Sequence, residues 1–74
     1  MAKLMMDYAD LRAEMIRKGL KIYEVADKTG IGLSTLTLKL RKGIPFSGEQ
    51  IYSLAEVLDI SLDKFGHYFF RVKV

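Results

Sequence analysis

Cysteine is absent from these 74 residues, and histidine and proline occur once each, at His67 and Pro45. Without cysteine, neither a disulfide nor a thiolate metal site can reinforce a small core, and the composition fits a reducing, cytoplasmic setting. There is no cysteine nucleophile, no metal-ligand cluster, no P-loop and no glycine-rich dinucleotide fingerprint. His67 stands at the expected end of a helix as a surface or packing residue. Glu49, Glu56, Asp59 and Asp63 are spread over two helices as solvated or dipole-complementing groups. The chain therefore reads as no enzyme, with no catalytic residue, cofactor or metal ligand. No apolar run approaches the roughly 18 residues of a membrane span. The opening MAKLMM is too short for a span or a signal peptide, so residues 1–6 are expected to be a flexible terminus.

The length fits one small domain. Half of the residues are apolar, enough for a single modest core. The net charge of +3 is uninformative until it is mapped. Residues 20–43 carry five basic groups (Lys21, Lys28, Lys39, Arg41, Lys42) against Glu24 and Asp27, a balance of +3. Residues 44–66 set Lys64 against four acids, a balance of −3. The positive excess thus lies in the middle of the chain, as a polyanion partner requires.

Five helices are expected between residues 7 and 66. The first covers Tyr8 to Lys18, with Asp7 as N-cap, Met6 and Leu11 as a staple, and Leu11 and Met15 on one face widened by Tyr8 or Ile16. Ile22 to Thr29 forms a second, poorly capped because Lys21 offers no side-chain acceptor. Leu33 to Lys42 forms the third. Gly followed by an apolar residue recurs at 19–20, 30–31 and 43–44, the signature of left-handed helix ends. Pro45 starts an extended link. Ser47 with Gln50 then makes a capping box, Phe46 with Ile51 its staple, and Ile51, Leu54, Ala55 and Leu58 the inner face of a fourth helix. A short fifth helix starts at Ser61 and ends at Gly66.

Within this frame, residues 22–41 stand out. Val25 and Ala26 precede Gly30 by a fixed interval, and Leu36 follows it on the next helix. This is the helix-turn-helix spacing: Ala26 small where the second helix crosses, Gly30 free to take positive φ. At about 100° per residue, Leu36 and Leu40 define the buried side of 33–42 with Leu33 beside them. Ser34, Thr37, Leu38 and Arg41 then face outward. Hydroxyls hydrogen-bond to base edges, Arg41 matches guanine O6 and N7, and Leu38 suits a thymine methyl. Lys21, Tyr23, Thr35, Lys39 and Lys42 flank this face as phosphate contacts, and the N-terminus of the second helix adds an anion-attracting end.

The tail His67–Val74 alternates. Tyr68, Phe70, Val72 and Val74 fall on one side, with Phe69, Arg71 and Lys73 on the other, as in an extended segment. Such a segment either covers the core or exchanges as a strand across a dimer axis through Phe69, Phe70 and Val72. Phe69, on the less apolar side, is the residue that most invites a partner.

Through Val25-Ala26-Asp27-Lys28, Gly30, Gly32 and Ser34, the chain resembles the Cro/C1-type helix-turn-helix family, whose fold is that of lambda-like phage repressors. The likeness covers about residues 8–66. Ser34-Thr35-Leu36-Thr37-Leu38-Lys39-Leu40, and Tyr68-Phe69-Phe70 before Val72-Lys73-Val74, are similar to short phage or prophage regulators. Two departures stand out. Ile22 occupies a position where members often carry a phosphate-contacting glutamine, and the outward face of 33–42 lacks Gln and Asn. The resemblance implies an all-α, compact five-helix DNA-binding domain, to which the alternating residues 67–74 add a short extended C-terminal tail. It also implies a homodimer on a double-stranded DNA operator, acting as a repressor or Cro-like switch. The other reading is an interaction module of the same fold that binds another phage regulator, relying on apolar surface such as Leu38 or Phe69.

Overall fold

The computed structural model describes residues 5–73. Helix α1 (Ala9–Arg17) starts one residue later than the sequence predicts, because Asp7 lies two residues before it and accepts the Ala9 N–H on Oδ1 at 3.0 Å. Of the two ways to widen its apolar stripe, the fold uses Tyr8. That ring is 3% exposed, whereas Ile16 is 77% exposed. The Tyr8 hydroxyl donates to the Ile44 carbonyl at 2.8 Å, pinning the start of α1 to the segment after the third helix.

Burial pushes the Tyr8 phenol up to about 12, against a smaller opposing effect from the Phe46 backbone. An unfolded tyrosine ionises near pH ~10, so the folded chain holds this proton more tightly. The stabilisation is complete below about pH 10 and is lost as pH rises through the folded value. The urea midpoint is therefore expected to fall between about pH 10 and 12 in the native chain, and less in Tyr8→Phe. Lysines titrate in both, so parallel pH profiles for the two proteins would rule the effect out.

Helix α2 (Ile22–Thr29) packs on α3 (Leu33–Lys42) and on α4 (Gly48–Leu58). Its start is better capped than the sequence suggests. Lys21 contributes no side-chain acceptor, but the Glu24 carboxylate reaches back to accept the Lys21 N–H at 3.0 Å. At the other end Gly30 has φ +76° and donates its N–H to the Ala26 carbonyl, and Thr29 Oγ1 accepts the Ile31 N–H at 3.3 Å. The turn is thereby fixed from both sides. Val25 and Leu36 are fully buried, and Ala26 and Leu40 nearly so. Leu33, expected beside them, is instead 48% exposed, because it occupies the first turn of α3 before that helix reaches the core.

Helix α4 shows the expected capping box, with Ser47 Oγ accepting the Gln50 N–H at 3.2 Å and Gln50 Oε1 accepting the Ser47 N–H at 2.9 Å. It ends on Asp59 at φ +55°, a left-handed stop formed without glycine. The Ile60 N–H then bonds the Ala55 carbonyl, and Ile60 is buried. A single 3-10 turn, Leu62–Lys64, leads into α5 (Phe65–Phe69).

The expectation that the fifth helix stops at Gly66, with an extended tail from His67, is therefore corrected. Helix α5 runs through Gly66, and Phe69 is its innermost residue, 1% exposed. Phe65 and Phe69 lie four apart on one helical face, with ring centroids 5.6 Å apart, and Phe69 meets Phe46 edge-on at 6.5 Å. Burial of this face outweighs the alternating pattern. Phe69 is thus unavailable for strand exchange or for a partner, whereas Phe70 and Val72 are 54% and 42% exposed. Tyr68 donates its hydroxyl to the buried Glu14 at 3.4 Å, and Asp10 Oδ2 holds both His67 and Arg71, at 2.9 and 2.7 Å. These contacts dock α5 and the residues after it on α1.

Beyond α5 the chain turns back to its own start. Val72 bridges antiparallel to Met6, the Asp7 N–H bonds the Arg71 carbonyl, and the Lys73 N–H bonds the Met5 carbonyl. Met6 also donates its N–H to the Gly43 carbonyl at 2.8 Å. The flexible terminus expected for residues 1–6 is thus corrected for Met5 and Met6, while residues 1–4 lie outside the described residues, as does Val74. Gly43 sits at φ +68°, and an added Cβ there would come within 2.6 Å of the Met6 carbonyl oxygen. No other residue type fits that contact unmoved. Among the described residues the fold is all-helical, five helices with a single isolated bridge and no strand.

Candidate nucleic-acid interface

Helix α3 buries Leu36 and Leu40 and leaves the rest of its circumference largely free. Ser34, Thr37, Leu38 and Arg41 all reach solvent along one stripe, with Leu38 40% exposed. They recur at intervals of three and four, so a groove-bound helix presents them together. Thr35 and Lys42 are exposed on its flanks. Helix α3 contains no acidic residue, and its last turn carries Lys39, Arg41 and Lys42. Cations at that end complement the helix dipole and add a positive field to the exposed face.

Not every expected contact is free. Lys39 is half-buried, donates its ammonium to Gln50 Oε1 at 2.7 Å and lies 5.6 Å from the centre of the Phe46 ring. It braces α3 against the start of α4, which holds its ammonium beside the exposed face. The charge still contributes to the local field, but its geometry is set by Gln50. The start of α2 is similarly altered. There the Glu24 carboxylate accepts the Lys21 N–H and sets a negative charge beside the helix start. Lys21 and Tyr23 remain exposed there, Tyr23 at 57%.

One basic residue escaped sequence reasoning. Arg12, exposed on α1, lines the same groove as Arg41 although 29 positions separate them in the chain. Nothing local in the sequence brings the two together; the tertiary fold does so. Among the described residues no three or more His, Cys, Asp or Glu side chains gather as a metal site would need. No helix among them is long and apolar enough to cross a membrane.

The exposed face can bind an extended anion along its cations and present hydroxyl, aliphatic and guanidinium groups to whatever lies between the charges. A family model described as helix-turn-helix matches residues 11–65, which span α1 to the first residue of α5. A search of curated proteins finds no match.

Proposed function

Since the chain belongs to the Cro/C1-type helix-turn-helix family of DNA-binding transcription regulators, we propose that it reads a specific duplex sequence by laying α3 in the major groove. The observation that carries this reading is the exposed stripe of Ser34, Thr37, Leu38 and Arg41 beside the buried Leu36 and Leu40. Ser34 and Thr37 supply hydroxyls, Leu38 a surface for a thymine methyl and Arg41 a fork for guanine. Lys21, Tyr23, Thr35 and Lys42 set the register on the phosphates. One such helix spans only a few base pairs, so a homodimer on a two-fold-symmetric operator is the functional unit. Repression, or a phage or prophage switch of the Cro kind, is the regulatory outcome that the family resemblance favours.

Selection from a random duplex pool, followed by salt titration of the recovered sequence, tests this. A two-fold-symmetric site with a log–log salt slope of roughly −4 to −8 is the expected result for several phosphate contacts per protomer. Recovery of no sequence, with only weak binding at low salt, would overturn it. The second reading, a module of this fold that binds another regulator, draws its support from the aliphatic side chains exposed beside the basic face.

A further inference from the structure

Where α1 ends, α2 begins and α3 ends, the surface opens into a groove of about 600 Å³. Its floor is apolar, made by Met15, Ile16, Leu20, Ile22 and Leu40. Ile16 is 77% and Ile22 37% exposed, two large aliphatic side chains facing water. Its rim is basic, made by Arg12, Lys21 and Arg41. No acidic residue lines the groove, and among the described residues none of these three cations enters an ion pair.

The two features together narrow the occupant. Three unpaired cations call for carboxylates or phosphates, and the floor calls for apolar groups to displace its water. A DNA duplex satisfies the rim but has nothing to lay over Ile16 and Leu20. The lining comes from helices and the turn between α1 and α2, and among the described residues no strand offers an edge for β-addition, so a helix with an apolar stripe is the element that fits the groove. We propose that this groove binds an acidic amphipathic helix of a protein partner. Apolar residues of that helix at i, i+3 and i+4 cover the floor, and its flanking carboxylates pair with Arg12, Lys21 and Arg41. Thr37 also lines the groove, and with Lys21 and Arg41 it belongs to the DNA face, so the partner helix and DNA exclude one another. This exclusion rests on the DNA reading; binding of the helix does not.

The test uses the full chain and a labelled helical peptide with leucines at i, i+3, i+4 and i+7 and glutamates on either side. Its counterpart carries lysine in place of each glutamate. Fluorescence anisotropy is expected to show the acidic peptide binding roughly tenfold tighter or more than the basic one. Amide shifts should concentrate on Ile16, Leu20, Ile22 and Leu40. Ile16→Gln, at an exposed apolar position outside the DNA face, and Arg12→Glu, which reverses one rim cation, should each weaken the peptide by roughly tenfold, with circular dichroism confirming the fold. Saturating acidic peptide should release a labelled operator. Equal affinity for the two peptides, shifts centred elsewhere, or decanoate filling the groove while the peptide does not bind would each overturn the proposal. Peptide binding by a chain that selects no duplex leaves the groove assigned and removes the DNA reading; operator binding with no peptide binding does the reverse.

Discussion

Replacing Arg41 with alanine is expected to weaken operator binding by about 30-fold to about 10⁴-fold while leaving stability within about 0.5 kcal/mol. The magnitude follows from one bidentate guanidinium–guanine pair per half-site, each about 1–3 kcal/mol, counted twice in a homodimer. Stability is spared because the side chain is exposed and, among the described residues, enters no ion pair that its loss would break. The loss should be specific. The position contacted by Arg41 should tolerate all four bases in the variant, with the salt slope nearly unchanged. Lys42→Ala makes the contrast: a uniform loss across sequences and a slope shallower by about one per half-site. Quantitative binding to a set of single-base operator variants at several salt concentrations distinguishes them. A uniform loss and a shallower slope for Arg41→Ala would reassign that residue to the phosphates.

The second large effect lies far from the DNA face. Phe69→Ala should cost about 3–5 kcal/mol, as for other buried aromatic truncations. A domain of this size sits near the lower end of the usual 5–15 kcal/mol, so the variant is expected to be substantially unfolded at about 25 °C. The ring is 1% exposed and packs on both Phe46 and Phe65, so its removal opens a cavity between α5 and the link before α4 and strips two aromatic contacts. Phe70→Ala, at the next position and 54% exposed, should change the urea midpoint hardly at all. Chemical denaturation of the pair decides the matter. A stable Phe69→Ala beside a destabilised Phe70→Ala would place the tail in the opposite register.

That pair of phenylalanines also marks where the sequence stopped being legible. The helix-turn-helix was readable because its determinants are local: Ala26 against a crossing helix, Gly30 at a left-handed stop, Leu36 and Leu40 one turn apart. The capping box at Ser47 and Gln50 was readable for the same reason. His67–Val74 satisfies two periods at once. Phe65 and Phe69 fit a helix, whereas Tyr68, Phe70 and Val72 fit a strand, and only the Phe46 ring waiting in the core decides between them. The bond of Lys39 to Gln50, eleven residues away, is not legible because the two become neighbours only when α4 docks. Met6 looked free because its two partners, Gly43 and Val72, lie 37 and 66 positions further along. Of the interface, the exposed stripe of α3 followed from periodicity, whereas the meeting of Arg12 with Arg41 followed from the tertiary fold alone.

The bridge between Met6 and Val72 carries a kinetic consequence. Joining these residues closes a loop of nearly the whole chain, whose entropic cost grows with the logarithm of its length, about 3–4 kcal/mol at this span. The helices on either side need no such closure, so the bridge forms after them in folding and parts before them in unfolding. Met6 also donates its N–H to the Gly43 carbonyl, so the same residue touches the end of α3 and the bridge. A contact between residues far apart in the chain therefore sits against the end of the helix that carries Arg41, although that helix closes on its own αL turn.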